Sequence, residues 1–217
     1  VEVLTSNGYV TFLTLQNVKA STLTASNFSG FAPDGSAPKG NNIIGTEGHD
    51  TLTGTAGDDH IKGLGGYDTI NGGAGADVIE GGDGNDSLDG QTGSDTLYGG
   101  AGDDWLSVND DGGTDYLYGG DGNDSLRVSR QSGTAFLDGG AGNDTITVQQ
   151  FSGQVTVDAG SGNDVVKLWT GAHITLGTGA DTISMGSASS RYHSTVTDFG
   201  SDDAIDMAGF LSSETSW

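Results

Sequence analysis

Aliphatic side chains recur every nine residues through the first half of the chain, at Ile43, Leu52, Ile61, Ile70, Ile79, Leu88, Leu97 and Leu106. Most follow a run of glycine, aspartate and other small or polar residues. The column continues at wider spacing through Leu117, Leu126, Ile146, Val166 and Ile183, without one polar member. One inward position between two outward ones is the alternation of a short strand, and the residues between such triplets are turn material. Aligned by nines, three units read Gly72-Gly73-Ala74-Gly75-Ala76-Asp77-Val78-Ile79-Glu80, Gly81-Gly82-Asp83-Gly84-Asn85-Asp86-Ser87-Leu88-Asp89 and Gly99-Gly100-Ala101-Gly102-Asp103-Asp104-Trp105-Leu106-Ser107. Glycine suits the turn because it enters left-handed backbone without steric cost and lets neighbouring backbones approach. The pattern predicts a core assembled one residue per strand. Later the pattern widens, and Ile146 with Val148, Val155 with Val157 and Val166 with Leu168 alternate with polar neighbours, which predicts longer strands carrying more core.

Position six of the unit is aspartate at an unbroken interval of nine, Asp50, Asp59, Asp68, Asp77, Asp86, Asp95 and Asp104. A chain of turn, strand and turn can only wind, so two units make one coil of a flattened right-handed helix with two parallel sheets. Assigned alternately to the two sides of that coil, the aspartates form unequal columns. One side carries Asp50, Asp68, Asp86, Asp104, Asp124, Asp144, Asp164 and Asp181, with a degenerate Asp203 last. The other carries Asn41, Asp59, Asp77, Asp95 and Asp115 and stops, and segments without the motif (129–133, 149–153, 169–172 and 186–193) close it thereafter.

The aspartate-bearing nonapeptide resembles the calcium-binding repeat of the RTX (repeats-in-toxin) family of secreted bacterial proteins, over residues 40 to about 206. The resemblance implies an all-β fold, a right-handed parallel β-roll with small flanking β-hairpin and capping segments. It implies calcium as cofactor, roughly ten ions, each lying between neighbouring turns on one side and held by two position-six aspartates and by carbonyls of positions one to four. The implied carboxylate ligands are Asp50, Asp59, Asp68, Asp77, Asp86, Asp95, Asp104, Asp115, Asp124, Asp144, Asp164 and Asp181. In the first turns the implied carbonyl ligands are Gly54 and Ala56, then Gly63, Gly65 and Gly66, then Gly72, Gly73, Ala74 and Gly75. Gly81, Gly82, Asp83 and Gly84 follow, then Gly93, then Gly99, Ala101 and Gly102. The later turns supply Gly120 and Gly122, Gly140 and Gly142, Gly160 and Gly162, and Gly179. Counting one ion per neighbouring pair gives about seven sites on the long side and three or four on the short side. Asn41 weakens or removes the first short-side site. Gly63-Leu64-Gly65-Gly66-Tyr67-Asp68 and Asp110-Asp111-Gly112-Gly113-Thr114-Asp115 depart from the family pattern at positions one to three, which spares the carbonyls and threatens the tight turns.

Donor chemistry agrees with calcium, a hard cation that takes about six to eight oxygens. The chain has no cysteine, and His49, His60, His173 and His193 have no ligand spacing, so zinc and copper are not expected. The histidines read as solvent-facing turn or strand residues. Thirty acidic against 7 basic residues give a net charge of −23, with 33% hydrophobic residues and 40 glycines in 217. Without counter-charge such a composition reads as disordered. About ten calcium ions nearly cancel the charge, so folding is expected to be coupled to metal, unfolded without it and folded with it. A flexible low-complexity linker is the plain alternative, but 40 glycines and 2 prolines fall below the composition usual for one.

The flanks lack the nonapeptide. Residues 1–30 read as a hairpin, Glu2 to Ser6 and Tyr9 to Leu15 about Asn7-Gly8, followed at Leu15 to Phe28 by what resembles the closing segment of an RTX block. Residues 31–40 read as a linker, 41–185 as the roll, and 186–217 as truncated capping strands. The expectation is a piece cut from a tandem array or rearranged, whose first 30 residues cover an open edge of the solenoid.

Catalysis is not expected. There is no G-x-S-x-G elbow, no H-E-x-x-H and no Cys-His pair, and the paired acids Asp58-Asp59, Asp103-Asp104 and Asp110-Asp111 stand in ligand-type turns. No EF-hand loop is present, and Asn-x-Ser/Thr at Asn85, Asn123 and Asn143 is a by-product of the repeat. The negative charge argues against nucleic acid and anionic membranes, and no apolar run approaches a membrane span. Phe151 and Trp169, with Arg130 and Arg191 nearby, read as loop anchors, with a glycan or protein contact as the alternative. The expectation is a monomeric, extracellular or surface-bound calcium-binding module, exported through a type I channel, that serves as folding and spacer unit beside neighbouring RTX or adhesin domains of one polypeptide. The alternative is an accessory module of a secreted lipase, protease or polysaccharide epimerase.

Overall fold

The computed structural model describes residues 3–5, 8–10, 39–109, 112–129, 132–149, 152–186 and 193–207. The chain alternates between two parallel nine-stranded sheets. The first contains β3 (Asn42–Ile44), β5 (His60–Gly65), β7 (Val78–Asp83), β9 (Thr96–Ala101), β11 (Thr114–Asp121), β13 (Thr134–Ala141), β15 (Gln154–Asp158), β17 (His173–Thr175) and β19 (Thr195–Val196). The second contains β4 (Thr51–Thr53), β6 (Thr69–Gly75), β8 (Ser87–Gly93), β10 (Trp105–Val108), β12 (Ser125–Ser129), β14 (Thr145–Gln149), β16 (Val165–Leu168), β18 (Thr182–Met185) and β20 (Ala204–Asp206). Each strand pairs with the strand two later, so the fold is the parallel β-solenoid that the nonapeptide predicts.

Register stacks like on like. Ile61 pairs with Ile43 and Ile79, and Leu88 with Ile70 and Leu106. The aliphatic column from Ile61 to Ile183 is fully buried, with Ile43 and Leu52 half-buried at its N-terminal end. Leu137, Val157 and Ile174 extend the column in the first sheet, where Leu117, Leu137, Val157 and Ile174 pair in series.

The strands that carry the alternating aliphatic pairs are not longer, contrary to expectation, although β11 and β13 reach 8 residues each. β6 and β8 span 7 residues each, whereas β14 and β15 span 5 and β16 spans 4. In the first half the ladder runs on into the glycine turns, because backbones without side chains can bond from coil to coil. The number of buried side chains is what changes. β7 buries Ile79 alone among its aliphatics, while β14 buries Ile146 and Val148, β15 buries Val155 and Val157, and β16 buries Val166 and Leu168. Each added aliphatic contributes about 1.5–3 kcal/mol relative to an exposed one.

Turn geometry explains the glycines locally. Gly84 has φ +123, and a Cβ there would lie 1.6 Å from the Gly66 carbonyl oxygen of the preceding coil. Leu64 and Gln91 occupy the second turn position, glycine in the central units, and hold φ of 85 and 66, a conformation that costs a side-chain-bearing residue about 1–2 kcal/mol. The Leu64 turn is therefore kept, at the expense of strain.

β1 (Val3–Thr5) and β2 (Gly8–Val10) pair antiparallel with Thr5 opposite Gly8, so Gly8 belongs to the strand and not to the turn. The segment read as a closing element and both prolines lie outside the described residues.

Candidate metal centres

The predicted aspartates are brought into two files by one repeated bond. Each donates its backbone N–H to the carboxylate Oδ1 of the equivalent aspartate one coil later. On the long side the bonds from Asp50, Asp68, Asp86, Asp104, Asp124 and Asp144 are each 2.7 Å, followed by Asp164 to Asp181 at 2.8 Å and Asp181 to Asp203 at 3.1 Å. On the short side Asn41 donates to Asp59, Asp59 to Asp77 at 2.8 Å, Asp77 to Asp95 at 3.0 Å and Asp95 to Asp115 at 2.9 Å. The carboxylates of a file therefore all point toward the preceding coil. Apart from Asp50 and Asp203, every one of these aspartates is buried.

The second carboxylate oxygen turns inward onto the glycine that opens its own turn. A Cβ built on Gly63 would lie 2.2 Å from Asp68 Oδ2 and 2.5 Å from the Gly81 carbonyl oxygen of the next coil. Gly72, Gly81, Gly99, Gly119 and Gly139 repeat the arrangement with Asp77, Asp86, Asp104, Asp124 and Asp144. Two acceptors thus converge on a space that only glycine leaves open. Along the middle of the files Oδ2 of Asp68, Asp77, Asp86, Asp104, Asp124, Asp144 and Asp164 is buried without a hydrogen-bond donor. A buried carboxylate oxygen lacking a donor is costly, by about 1–3 kcal/mol or more, and a cation facing both oxygens removes that cost.

At the ends of the files protein donors do this work. Asp50 Oδ2 accepts the Thr46 N–H at 2.6 Å and its hydroxyl at 2.9 Å, and Asp59 Oδ2 accepts the Thr55 N–H at 2.5 Å and its hydroxyl at 3.0 Å. At the other end of the long file Asp203 Oδ2 accepts the Gly200 N–H at 2.7 Å, and nearby Asp198, a member of neither file, accepts those of Leu176 and Gly177 at 2.8 Å each. Sequence reasoning missed Thr46 and Thr55 as partners of this ladder. Threonine at position two, two residues after the inward aliphatic triplet, was the available signal.

Electrostatics follow burial. Desolvation is the main cause that lifts Asp104 to about 7 and Asp124, Asp144 and Asp164 to about 6, with neighbouring aspartates adding to it and the N–H bond from the preceding coil opposing it. Asp77, Asp86 and Asp181 are raised for the same first reason. Near neutral pH the file therefore needs either protons or cations.

The glycines and alanines expected to offer carbonyls lie in the turns leading to these aspartates. Some carbonyls are partly engaged, since those of Asp83 and Ala101 accept N–H bonds from Gly66 and Gly84 at 2.8 and 2.7 Å, leaving one lone pair each. The long side carries a second file outside the first. Asn85, Asp103, Asn123, Asn143 and Asn163 each accept, through Oδ1, the N–H of the equivalent residue one coil later, at 2.7–3.0 Å.

The short file stops because both halves of its cradle change. In strand register Asp115 is followed by Ala135 and then Val155, with Ala172 next in line, all buried. Opposite them the opening glycine gives way to Val108, Val128, Val148 and Leu168. The switch begins at Val108, whose Cγ1 lies 2.9 Å from where a Cβ on Gly90 would stand.

Among the described residues no three His, Cys, Asp or Glu side chains gather as a metal cluster; the oxygens that face one another across the turns are carboxylates and backbone carbonyls, hard donors of the kind that suit calcium rather than zinc. Trp169 lies over Gly186, where a Cβ would meet its ring nitrogen at 2.2 Å, and is 37% exposed. Phe151, Arg130, Arg191 and the pair Asp110-Asp111 lie outside the described residues. No helix among the described residues is long and apolar enough to cross a membrane.

A family model described as RTX calcium-binding nonapeptide repeat (4 copies) matches residues 44–79, 80–110, 90–126 and 131–148. No curated protein matches the chain.

Proposed function

The chain belongs, through its repeat block, to the RTX calcium-binding nonapeptide repeat family, and from that premise we propose that calcium holds neighbouring coils together at the paired aspartates and thereby drives folding. The family's repeat is a calcium-binding one, and the module is a folding and stabilising unit. Asp50 to Asp181 supply the long file of ligands and Asp59 to Asp115 the short one, completed by turn carbonyls. Calcium bound there supplies the positive charge that the inward carboxylate oxygens face. The observation that carries this reading is the contrast along the files, with donors at both ends of the long one and at the Asp59 end of the short one, and none at the inward oxygens of Asp68, Asp77, Asp86, Asp104, Asp124, Asp144 and Asp164.

Family identity implies a secreted bacterial protein. The finer reading is a module that crosses the envelope unfolded through a type I channel, folds where calcium is plentiful, and spaces neighbouring domains of an adhesin-like polypeptide. Extracellular calcium modules bind at ~10⁻⁴ to 10⁻³ M, which keeps the chain unfolded in the cytosol. Circular dichroism through a calcium titration, with ion counting by native mass spectrometry, tests it. Roughly ten ions with a coil-to-β transition in that range are expected. A chain already β-structured in chelator at pH 7.5 and unchanged by millimolar calcium would overturn it.

A further inference from the structure

The outer face of the first sheet carries an aromatic stack that the metal files do not use. Tyr98 and Tyr118 stack with centroids 5.0 Å apart and planes 7° apart, and Tyr116 and Phe136 with 4.9 Å and 6°. Rings stacked along the roll present edges to solvent, except at the ends of the stack. At one end the outer face of Tyr98 walls a groove of about 560 Å³, floored by Val78 and by backbone of Gly82 and Gly100. Strand register sets Glu80 beside Tyr98, yet Glu80 leans away. Its oxygens meet His60 Nε2 and Lys62 Nζ on the preceding strand, each at 2.8 Å, and the lean opens the groove.

Charge and shape narrow the ligand. Glu80 already has Lys62 as counter-ion, so the groove has little pull on a cation, and a chain of net charge −23 repels polyanions and further copies of itself. An aromatic face, a glycine floor that permits close approach, and a fixed carboxylate with lone pairs to spare suit a flat, neutral, hydroxyl-rich ring. The volume lies within the ~300–1,000 Å³ of small-ligand sites. We propose that this groove binds a sugar unit of a neutral glycan, with the Tyr98 ring against the apolar face of the sugar and Glu80 accepting hydrogen bonds from its hydroxyls.

The groove floor includes the turn glycines Gly82 and Gly100, so the proposal rests on the calcium-folded roll. The test is isothermal titration of the calcium-loaded chain with cellohexaose, maltohexaose and mannohexaose, beside circular dichroism of every sample. Binding of at least one is expected, lost in chelator. Tyr98→Ala should weaken it roughly tenfold, about 1.4 kcal/mol, and Tyr98→Phe should retain it, because the ring face survives. Glu80→Gln should weaken it less, and Tyr67→Ala, a change at an exposed tyrosine elsewhere, should leave it unaltered. A β-structured chain that binds none of the three sugars, or binds equally well as Tyr98→Ala, overturns this proposal alone. A chain without β-structure in calcium overturns it together with the folding reading. Self-association abolished by Tyr98→Ala would assign the groove to a second copy and overturn the glycan.

Discussion

The two edges of the roll solve the same problem with different materials. On the long edge, an aspartate and a glycine recur coil after coil, leaving a buried acidic space between rungs. On the short edge the same register holds Asp59, Asp77, Asp95 and Asp115 and then Ala135, Val155 and Ala172, while the facing glycines become Val108, Val128, Val148 and Leu168. Aliphatic side chains fill the volume that glycine leaves to a cation. The comparison teaches that the metal is replaceable in this fold, provided that the glycine is filled wherever the aspartate is lost; at Asp115 the opening residue is already Val108.

The largest effect should come from breaking that proviso on the long edge. Asp104→Ala removes a carboxylate shared by two gaps and leaves Gly99 unfilled, and should cost about 3–5 kcal/mol of calcium-loaded stability with up to two ions lost, read by thermal melting and native mass spectrometry. Gly90→Val combined with Asp95→Ala sets the replacement seen at Val128 with Ala135 two coils earlier and should lower the ion count while keeping the calcium-loaded fold. If the paired change unfolds the chain as Asp104→Ala does, the equivalence of the two edges fails.

On the metal-free stretch Leu168→Ala should cost about 3 kcal/mol and leave the ion count untouched. Loss of ions there would mean that the edges are not separate. The effect of pH is smaller and acts on the long edge. The folded pKa of Asp104, about 7, and those of Asp124, Asp144 and Asp164, about 6, lie above the ordinary value of 3.8. The metal-free fold is therefore favoured below about pH 4 and loses that advantage as pH rises through 6 to 7. In chelator, β-structure should be greater at pH 4 than at pH 7.5. With calcium, the transition midpoint should fall roughly tenfold between pH 5 and 7.5 as protons stop competing. The smallest effect is Leu64→Gly, which relieves the left-handed backbone and should stabilise the roll by about 1 kcal/mol, seen as a raised melting temperature.

Most of this arrangement was legible in the chain. The nine-residue interval with one aliphatic per unit sets the solenoid and its two sheets, and counting from Asp50 separates the files at Asp115. The replacement residues were harder to see. Ala135, Val155 and Ala172 stand where aspartate stood, but coils of 20, 20 and then 17 residues move them out of the nine-residue frame, and Leu137, Val157 and Ile174 left the inward column with them. The aromatic stack was hidden for a related reason. Tyr98 and Tyr118, or Tyr116 and Phe136, are twenty residues apart and become neighbours only through the register of β9, β11 and β13. Phe151 and Trp169 drew notice in their place because they stand alone in loops.

Nine rungs per sheet at about 4.8 Å each make a rod of about 40 Å. The same residues pulled straight reach several hundred ångströms, at about 3.4 Å each. On the proposed reading calcium clips each coil to its neighbours across the long edge, so the clips act in series when the ends are pulled. Under tension, the length of the rod becomes a function of calcium concentration. A tether built this way shortens when it meets calcium and draws together whatever its two ends hold.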